Sequence, residues 1–501
     1  MNFRELMRSL GSHSGRYLAS GLAITVLNVI SVPVYTHLFP PAVFGLYFTL
    51  SSVIQLLIVP ATLSLDSAIS RFYYDHATDA AGRRRYVSSY MTFGVAWCLL
   101  LILLLAAAGP WLLSRPLKVP FYPLIPLALL LTLSQSIMVF LIAILRVQIR
   151  STYLGIMNFV NAALTLGFSI IAVFLVGHEV SARLGGQLAA NLIFIVIAAH
   201  MLWKRDELVL EADRPVLKEG LRYSLPLVPH LASGWIGSLS DRLLLGLYGM
   251  RSSVGYYSVG YDLTRTTISL LSDSIFQVYN PIFMREMALA PEDFLKRHAR
   301  FFTYYTLLMA TAVLALSLFS PEIIAVLTPK SYAPAAVIIP IIAYAYLLGA
   351  LYKPFIIILS YVKRTAMITV LGFASAFTNL GLNLLLIPRY GSTAAAWTTF
   401  GSVAVYALGA CITSHRSLQV DWEYARLVTI FVSQAMAYGL FAVGSTSTHS
   451  VLGILGLKTL ALSSIPLTLY VCRFFSAQEL ALLYQFRSPK AFLNGLLRRN
   501  V

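Results

Sequence analysis

Charged side chains are scarce in this chain. Asp, Glu, Lys and Arg make up only 11% of its 501 residues, against about 25% in an ordinary soluble domain. With 58% of residues drawn from AVILMFWYC, the chain lacks the polar surface to face water on every side. Soluble enzymes, secreted disulfide scaffolds and disordered regulators are set aside, and the bilayer becomes the main solvent. Cysteine is nearly missing. Cys98, Cys411 and Cys472 lie far apart in apolar runs, with neither a disulfide framework nor metal-ligand spacing. No GxxxxGK[ST] loop is present, so direct ATP hydrolysis is not expected. The opening stretch, MNFRELMRSLGSHSGRY, has no short apolar core with a small-residue cleavage site, so no removable signal peptide is indicated. Acidic residues are also few, 20 against 37 Lys and Arg, giving a net charge of +17. In a soluble protein that excess would suggest nucleic acid. Between membrane spans it marks the cytoplasmic side instead, and no nucleic-acid partner is expected.

What the chain does have is long apolar runs. A helix crossing the hydrocarbon needs about 20 mostly apolar residues, and fourteen such runs are found. Six fall near 16–38, 42–65, 86–108, 120–145, 152–176 and 180–203. Six more fall near 221–248, 253–279, 300–320, 332–359, 365–387 and 391–413, and a last pair near 425–443 and 450–473. Charge tests this number. With the N-terminus inside, 27 of the Lys and Arg residues fall on the inner side, six on the outer side and four within spans. One missed or invented span would invert every later loop and destroy the asymmetry. Both termini are therefore expected in the cytoplasm.

The halves repeat. VYTHLFPPAVFGLYF (34–48) overlays LLGLYGMRSSVGYYS (244–258) at an offset of 210, placing Gly45 on Gly255 and Tyr47 on Tyr257. The same offset lays SARLGG (181–186) over GSTAAA (391–396). An even number of spans separates the copies, so they share one orientation, related by an axis along the membrane normal with a binding site between them. The expected fold is all-α and integral to the membrane. It has 14 transmembrane helices in two parallel-related six-helix bundles around a central cavity, plus a C-terminal helix pair. Residues 1–203 form the first lobe, 204–220 a cytoplasmic linker, 221–413 the second lobe, 414–475 helices thirteen and fourteen, and 476–501 a cytoplasmic amphipathic tail.

Ionisable residues at mid-bilayer cost a few kcal/mol each on insertion scales and normally face a cavity or a partner. The eighth span is the richest. Ser258, Asp262, Arg265, Thr266, Ser269, Asp273 and Asn280 fall within about 80° of arc on one helix face. That stripe reads either as the lining of a wet lumen or as an ion pair closing a helix seam. Asp262 and Arg265, three apart, can pair along the helix. Asp241 and Arg242 end the seventh span, where Arg242 serves a gate or interface or snorkels to the surface. Lys353 lies near the inner end of the tenth span, within reach of lumen or interface. Ser375, Thr378, Asn379 and Asn383 form a narrower polar stripe on the eleventh. Prolines at 33, 60, 226, 229, 340 and 354 suit bent membrane helices.

FGLY at 44–47, SDRLLLGLYG (240–249) followed by VGYYSVGYDL (254–263), and NLGLNLLLIPRYGSTAAA (379–396) resemble the multidrug/oligosaccharidyl-lipid/polysaccharide exporter superfamily. The likeness is to its polysaccharide transport branch, which includes bacterial O-antigen flippases. The resemblance implies a transporter of the bacterial inner membrane, not an enzyme. It would move undecaprenyl-diphosphate-linked oligosaccharide to the outer leaflet by alternating access, for surface polysaccharide and lipopolysaccharide synthesis, beside polysaccharide polymerase and chain-length machinery. It implies basic residues in the central cavity, here Arg265 and Arg16, and a groove for the lipid tail at the final helix pair. The candidate substrate-binding residues are Arg265, Asp262, Arg16, Arg242, Lys353, Asp273, Ser269, Asn379 and Asn383. No cofactor or metal is implied. The alternatives are a cation-coupled multidrug exporter and a membrane glycan polymerase, ligase or glycosyltransferase. The latter is disfavoured by outer loops of only about a dozen residues without paired carboxylates or a His cluster.

Overall fold

The computed structural model describes residues 23–76, 79–148, 151–448, 450–476 and 479. Arg16 and nearly all of the tail after 476 lie outside these residues. The described chain is helical, with no strand among its elements. Among the described residues, ten helices are long and apolar enough to cross a membrane. One of them, Thr365–Ser417, is two spans: Gly391, at φ 60° and ψ −138°, breaks the helix just after Pro388. A side chain is strained in that conformation, which glycine adopts freely. The shorter apolar helix Ala23–Leu38 and the more polar Val228–Leu247 and Arg251–Leu289 complete the fourteen.

In chain order the spans are α1 (Ala23–Leu38), α2 (Pro41–Thr62), α3 (Ala80–Gly109), α4 (Leu124–Val147), α5 (Ser151–Val176) and α6 (Val180–Trp203). The second set is α7 (Val228–Leu247), α8 (Arg251–Leu289), α9 (Pro291–Leu318) and α10 (Ala335–Leu351, continued by Lys353–Tyr361). Then come α11 and α12, the two parts of Thr365–Ser417, followed by α13 (Tyr424–Gly444) and α14 (Val451–Val471). Short connections make successive spans antiparallel, so the connections rich in Arg and Lys gather at one end, the basic end.

Two segments read from sequence as loop or span differ. Leu63 and Ser64 take positive φ, ending α2 and opening a short helix, Leu65–His76, at the basic end. The seventh span does not begin at 221. An amphipathic helix, Arg214–Ser224, passes through a tight turn at Leu225–Leu227 into α7. Pro226 and Pro229 explain the break, since proline donates no hydrogen bond and clashes with the preceding turn.

The two bundles meet chiefly through α2, which packs on both α7 and α8. One apolar core runs across this junction, from Tyr35, Phe39 and Phe44 to Val259, Met309 and Tyr332. It continues to Ile430 and Ile465 of the C-terminal pair. The α13–α14 pair docks on α9, where Gln434 Nε2 donates to Thr311 Oγ1 at 3.1 Å.

At the end away from the basic connections, α2 and α8 cross at backbone contact. A Cβ on Gly45 would stand 1.8 Å from the carbonyl oxygen of Arg251, and one on Gly255 2.1 Å from that of Pro41. Tyr332 Oη seals the same region by donating to the carbonyl of Phe39 at 2.8 Å.

Candidate functional site

Beneath this crossing, between the two bundles, lies a cavity of about 210 Å³. Its wall comes from α1 (Asn28, Ser31, Tyr35), α2 (Phe44, Tyr47, Phe48), α6 (Arg183) and α8 (Val259, Asp262, Arg265, Thr266). Asp262 is eleven residues into α8, about 16 Å along a helix rising 1.5 Å per residue. Asp262 therefore stands near the middle of a hydrocarbon layer about 30 Å thick, whereas Arg183, three residues into α6, lies nearer the crossing end.

Three arginines gather in and behind this wall, two of them on one carboxylate. Arg242 of α7 donates from Nη2 to Asp262 Oδ1 at 2.8 Å. Arg265 Nε stands 3.8 Å from the same oxygen. The Arg242 side chain is 7% exposed, whereas that of Arg265 is 59% exposed. Arg242 thus neither snorkels nor lines the cavity. It sits behind the wall, over the rings of Phe48 and Tyr261, its Nε buried and unbonded within the protein. Its neighbour Asp241 is buried and engaged separately, accepting from Tyr257 Oη and from the Arg242 backbone N–H.

The third arginine, Arg183, belongs to the first bundle and was not among the sequence candidates. Its guanidinium lies 3.7 Å from the ring centroid of Tyr35 and 4.8 Å from that of Tyr47. It donates to Tyr35 Oη, to Ser169 Oγ at 3.1 Å and to Tyr47 Oη at 3.4 Å. The available signal was the arginine within SARLGG at the head of the sixth span, counted instead with the outer-loop charges.

The remaining candidates divide. Lys353, at the step between the two parts of α10, donates to Asp273 Oδ1 at 2.5 Å and Ser272 Oγ at 2.7 Å. Eleven residues beyond Asp262 on α8, this second ion pair does not line the cavity. Ser269 is partly buried between the two. Asn379 and Asn383, expected to bind substrate, are instead both buried in a seam. Asn383 Nδ2 donates to Asn379 Oδ1 at 2.9 Å, Ser240 Oγ donates to the same oxygen at 3.1 Å, and Thr398 Oγ1 donates to Asn383 Oδ1. Their polarity is spent joining α7, α11 and α12, as expected of amides that cannot find water in hydrocarbon. Among the described residues no cluster of three or more His, Cys, Asp or Glu could hold a metal ion.

Two six-helix bundles around an arginine-bearing cavity, with an added helix pair, define the transporter fold of the multidrug/oligosaccharidyl-lipid/polysaccharide exporter superfamily. The lipid II flippase MurJ in an inward closed conformation superposes with a TM-score of 0.72 at 13% identity, covering 91% of this chain and 98% of that one. A point mutant of the Vibrio cholerae MATE transporter VcmN gives 0.52 at 14% identity, over 83% and 98%. An inward-facing multidrug resistance MATE family transporter gives 0.54 at 14%, over 81% and 95%. No curated protein matches the chain in sequence. The chain belongs to the polysaccharide biosynthesis protein family, whose model matches residues 13–287, and so to the polysaccharide transport branch of the superfamily, as the sequence resemblance implied.

Proposed function

We propose that the protein flips a lipid-linked anionic oligosaccharide, of the undecaprenyl-diphosphate class, from the inner to the outer leaflet of a bacterial inner membrane for surface polysaccharide synthesis. One observation carries the reading: Arg183 from the first bundle and Arg265 from the second face a single cavity between the bundles. An unpaired charge entering hydrocarbon costs tens of kcal/mol in the Born limit, and paired guanidiniums replace the lost water contacts with charge-assisted bonds. Arginine suits this because its planar fork meets two phosphate oxygens at once. The cavity's lining carries one carboxylate against two guanidiniums, a balance that suits an anion better than a cationic drug. The sugars occupy the space beside Asn28, Ser31 and the tyrosines, while the polyprenyl chain stays in lipid.

Separation of α2 from α8, with closure at the basic end, would present the headgroup to the other side. With a potential negative inside, each charge moved outward gains about 2.3 kcal/mol per 100 mV, hence about 5 kcal/mol for two diphosphate charges. In this orientation the basic end and both termini are cytoplasmic, and the flipped glycan would reach a polymerase or chain-length protein at the opposite face. The test is complementation of a deletion strain. The Arg265→Ala protein is expected to insert at normal levels, fail to restore surface glycan and leave lipid-linked oligosaccharide in the inner leaflet. Full export by that variant overturns the reading.

A further inference from the structure

We propose that Arg242 is a positioning residue: it holds Asp262 against the cavity wall and thereby leaves Arg265 as the cation that meets the anionic group of the cargo. The inference rests on reading the cavity as a phosphate site and adds how that site keeps its charge available. Asp262 has two candidate partners. Arg265, one turn along the same helix, reaches only 3.8 Å, whereas Arg242, from a different helix, makes a 2.8 Å bond. The buried partner holds the carboxylate more strongly, because an ion pair strengthens as water is excluded. Arg242 has few other places to go. It is enclosed by Phe48 and Tyr261, and Asp241 beside it is taken by Tyr257 and the Arg242 backbone N–H. The outcome is a division of labour. One arginine neutralises the carboxylate from behind, and the exposed one keeps its charge for the lumen. Without Arg242 the carboxylate would turn fully to Arg265 and compete with any incoming phosphate.

The experiment measures binding of farnesyl diphosphate, with farnesol as the uncharged control, to the full-length protein in detergent. The wild type should prefer the diphosphate, and Arg265→Ala should erase that preference. If it does not, the phosphate-site reading fails and this inference with it. Given the preference, Arg242→Gln should weaken diphosphate binding about tenfold or more, equivalent to at least about 1.4 kcal/mol. Asp262→Asn should tighten it about threefold, by removing the competing anion. The double variant Arg242→Gln/Asp262→Asn should return to within about threefold of wild type, still dependent on Arg265. A purely structural ion pair predicts no tightening in Asp262→Asn and no Arg265-dependent recovery in the double variant. Wild-type binding by Arg242→Gln, or failed recovery in a double variant that elutes and melts like wild type, overturns the proposal. If Arg242→Gln does not fold, Asp262→Asn decides alone: unchanged or weaker binding overturns it.

Discussion

Gly45 and Gly255, 210 positions apart and equivalent in the internal repeat, each sit against the first turn of the other's helix. The Arg251 carbonyl occupies the space of a Gly45 side chain, and the Pro41 carbonyl that of a Gly255 side chain. The repeat thus meets itself at the point where the cavity is closed.

That relationship predicts how the closed end responds to one methyl group. Ordinary carbon contacts need about 3.5–4.0 Å, so a Cβ 1.8 Å from a backbone oxygen forces the helices apart. Gly45→Ala is expected to shift the population towards separation at this end. With the native cysteines replaced and a single cysteine at Thr266 on the cavity wall, labelling by a membrane-impermeant maleimide from the α2/α8 crossing side should rise several-fold. Unchanged labelling in Gly45→Ala and in Gly255→Ala would show that the crossing is not the gate.

Arg183 is held as a flat plate against two tyrosine rings, so its shape should matter as much as its charge. Arg183→Lys keeps the charge but loses the planar stack, worth about 0.5–2 kcal/mol in such contacts, and the fork that reaches Tyr35 and Ser169 from Nη1 and Tyr47 from Nη2. Glycan export by Arg183→Lys is expected to fall about tenfold at equal protein level, each 1.4 kcal/mol being a factor of ten. Tyr35→Phe, which keeps the ring and removes one acceptor, should fall less. Equal export by Arg183→Lys and wild type would reduce Arg183 to a generic cation.

Much of the fold was legible because the bilayer punishes error in simple ways. The spacing of apolar runs and the sidedness of Lys and Arg gave fourteen spans, even though α7 and α8 carry much of the polarity that functional helices need. The site was only half legible. The stripe on α8 put Asp262 and Arg265 on one face, which follows from helical period alone, and both line the cavity. Partner choice across helices does not follow from period. Arg242 looked free to snorkel because its position near a span end allows it, and only packing against Phe48 and Tyr261 shows otherwise. Arg183 was hidden by its place at a span boundary, where an arginine is most often a loop charge. Asn379 and Asn383 read as substrate contacts, but four-residue spacing serves a buried seam equally well.

The seam makes its own prediction. Asn383 accepts from Thr398 and donates to Asn379, with both amides buried. Hydrogen bonds between membrane helices average about 0.6 kcal/mol and reach about 1.7, so Asn383→Leu, which breaks two of them, should cost about 1–3 kcal/mol. The thermal midpoint in detergent is expected to fall by a few degrees, while Arg265-dependent diphosphate binding by the folded fraction stays intact. Loss of binding without loss of stability would move Asn383 back to the cargo site.

The C-terminal pair is tied to the second bundle by one buried cation. Lys458 of α14 donates to Glu322 Oε1 at 2.6 Å and Oε2 at 2.7 Å, under the rings of Phe319 and Phe441. Removing one partner of a fully buried pair costs about 3–5 kcal/mol, because the other charge is stranded. Glu322 is 30% exposed, so water relieves part of that cost, and Lys458→Met should fall below this range. Lys458→Met/Glu322→Gln, which strands no charge, should recover most of the lost stability, since replacing both partners of a buried pair is often close to neutral. Thermal unfolding of the three proteins in one detergent decides between this account and a role for Lys458 in holding cargo. In the second case the double variant would recover its melting temperature yet still fail to export glycan.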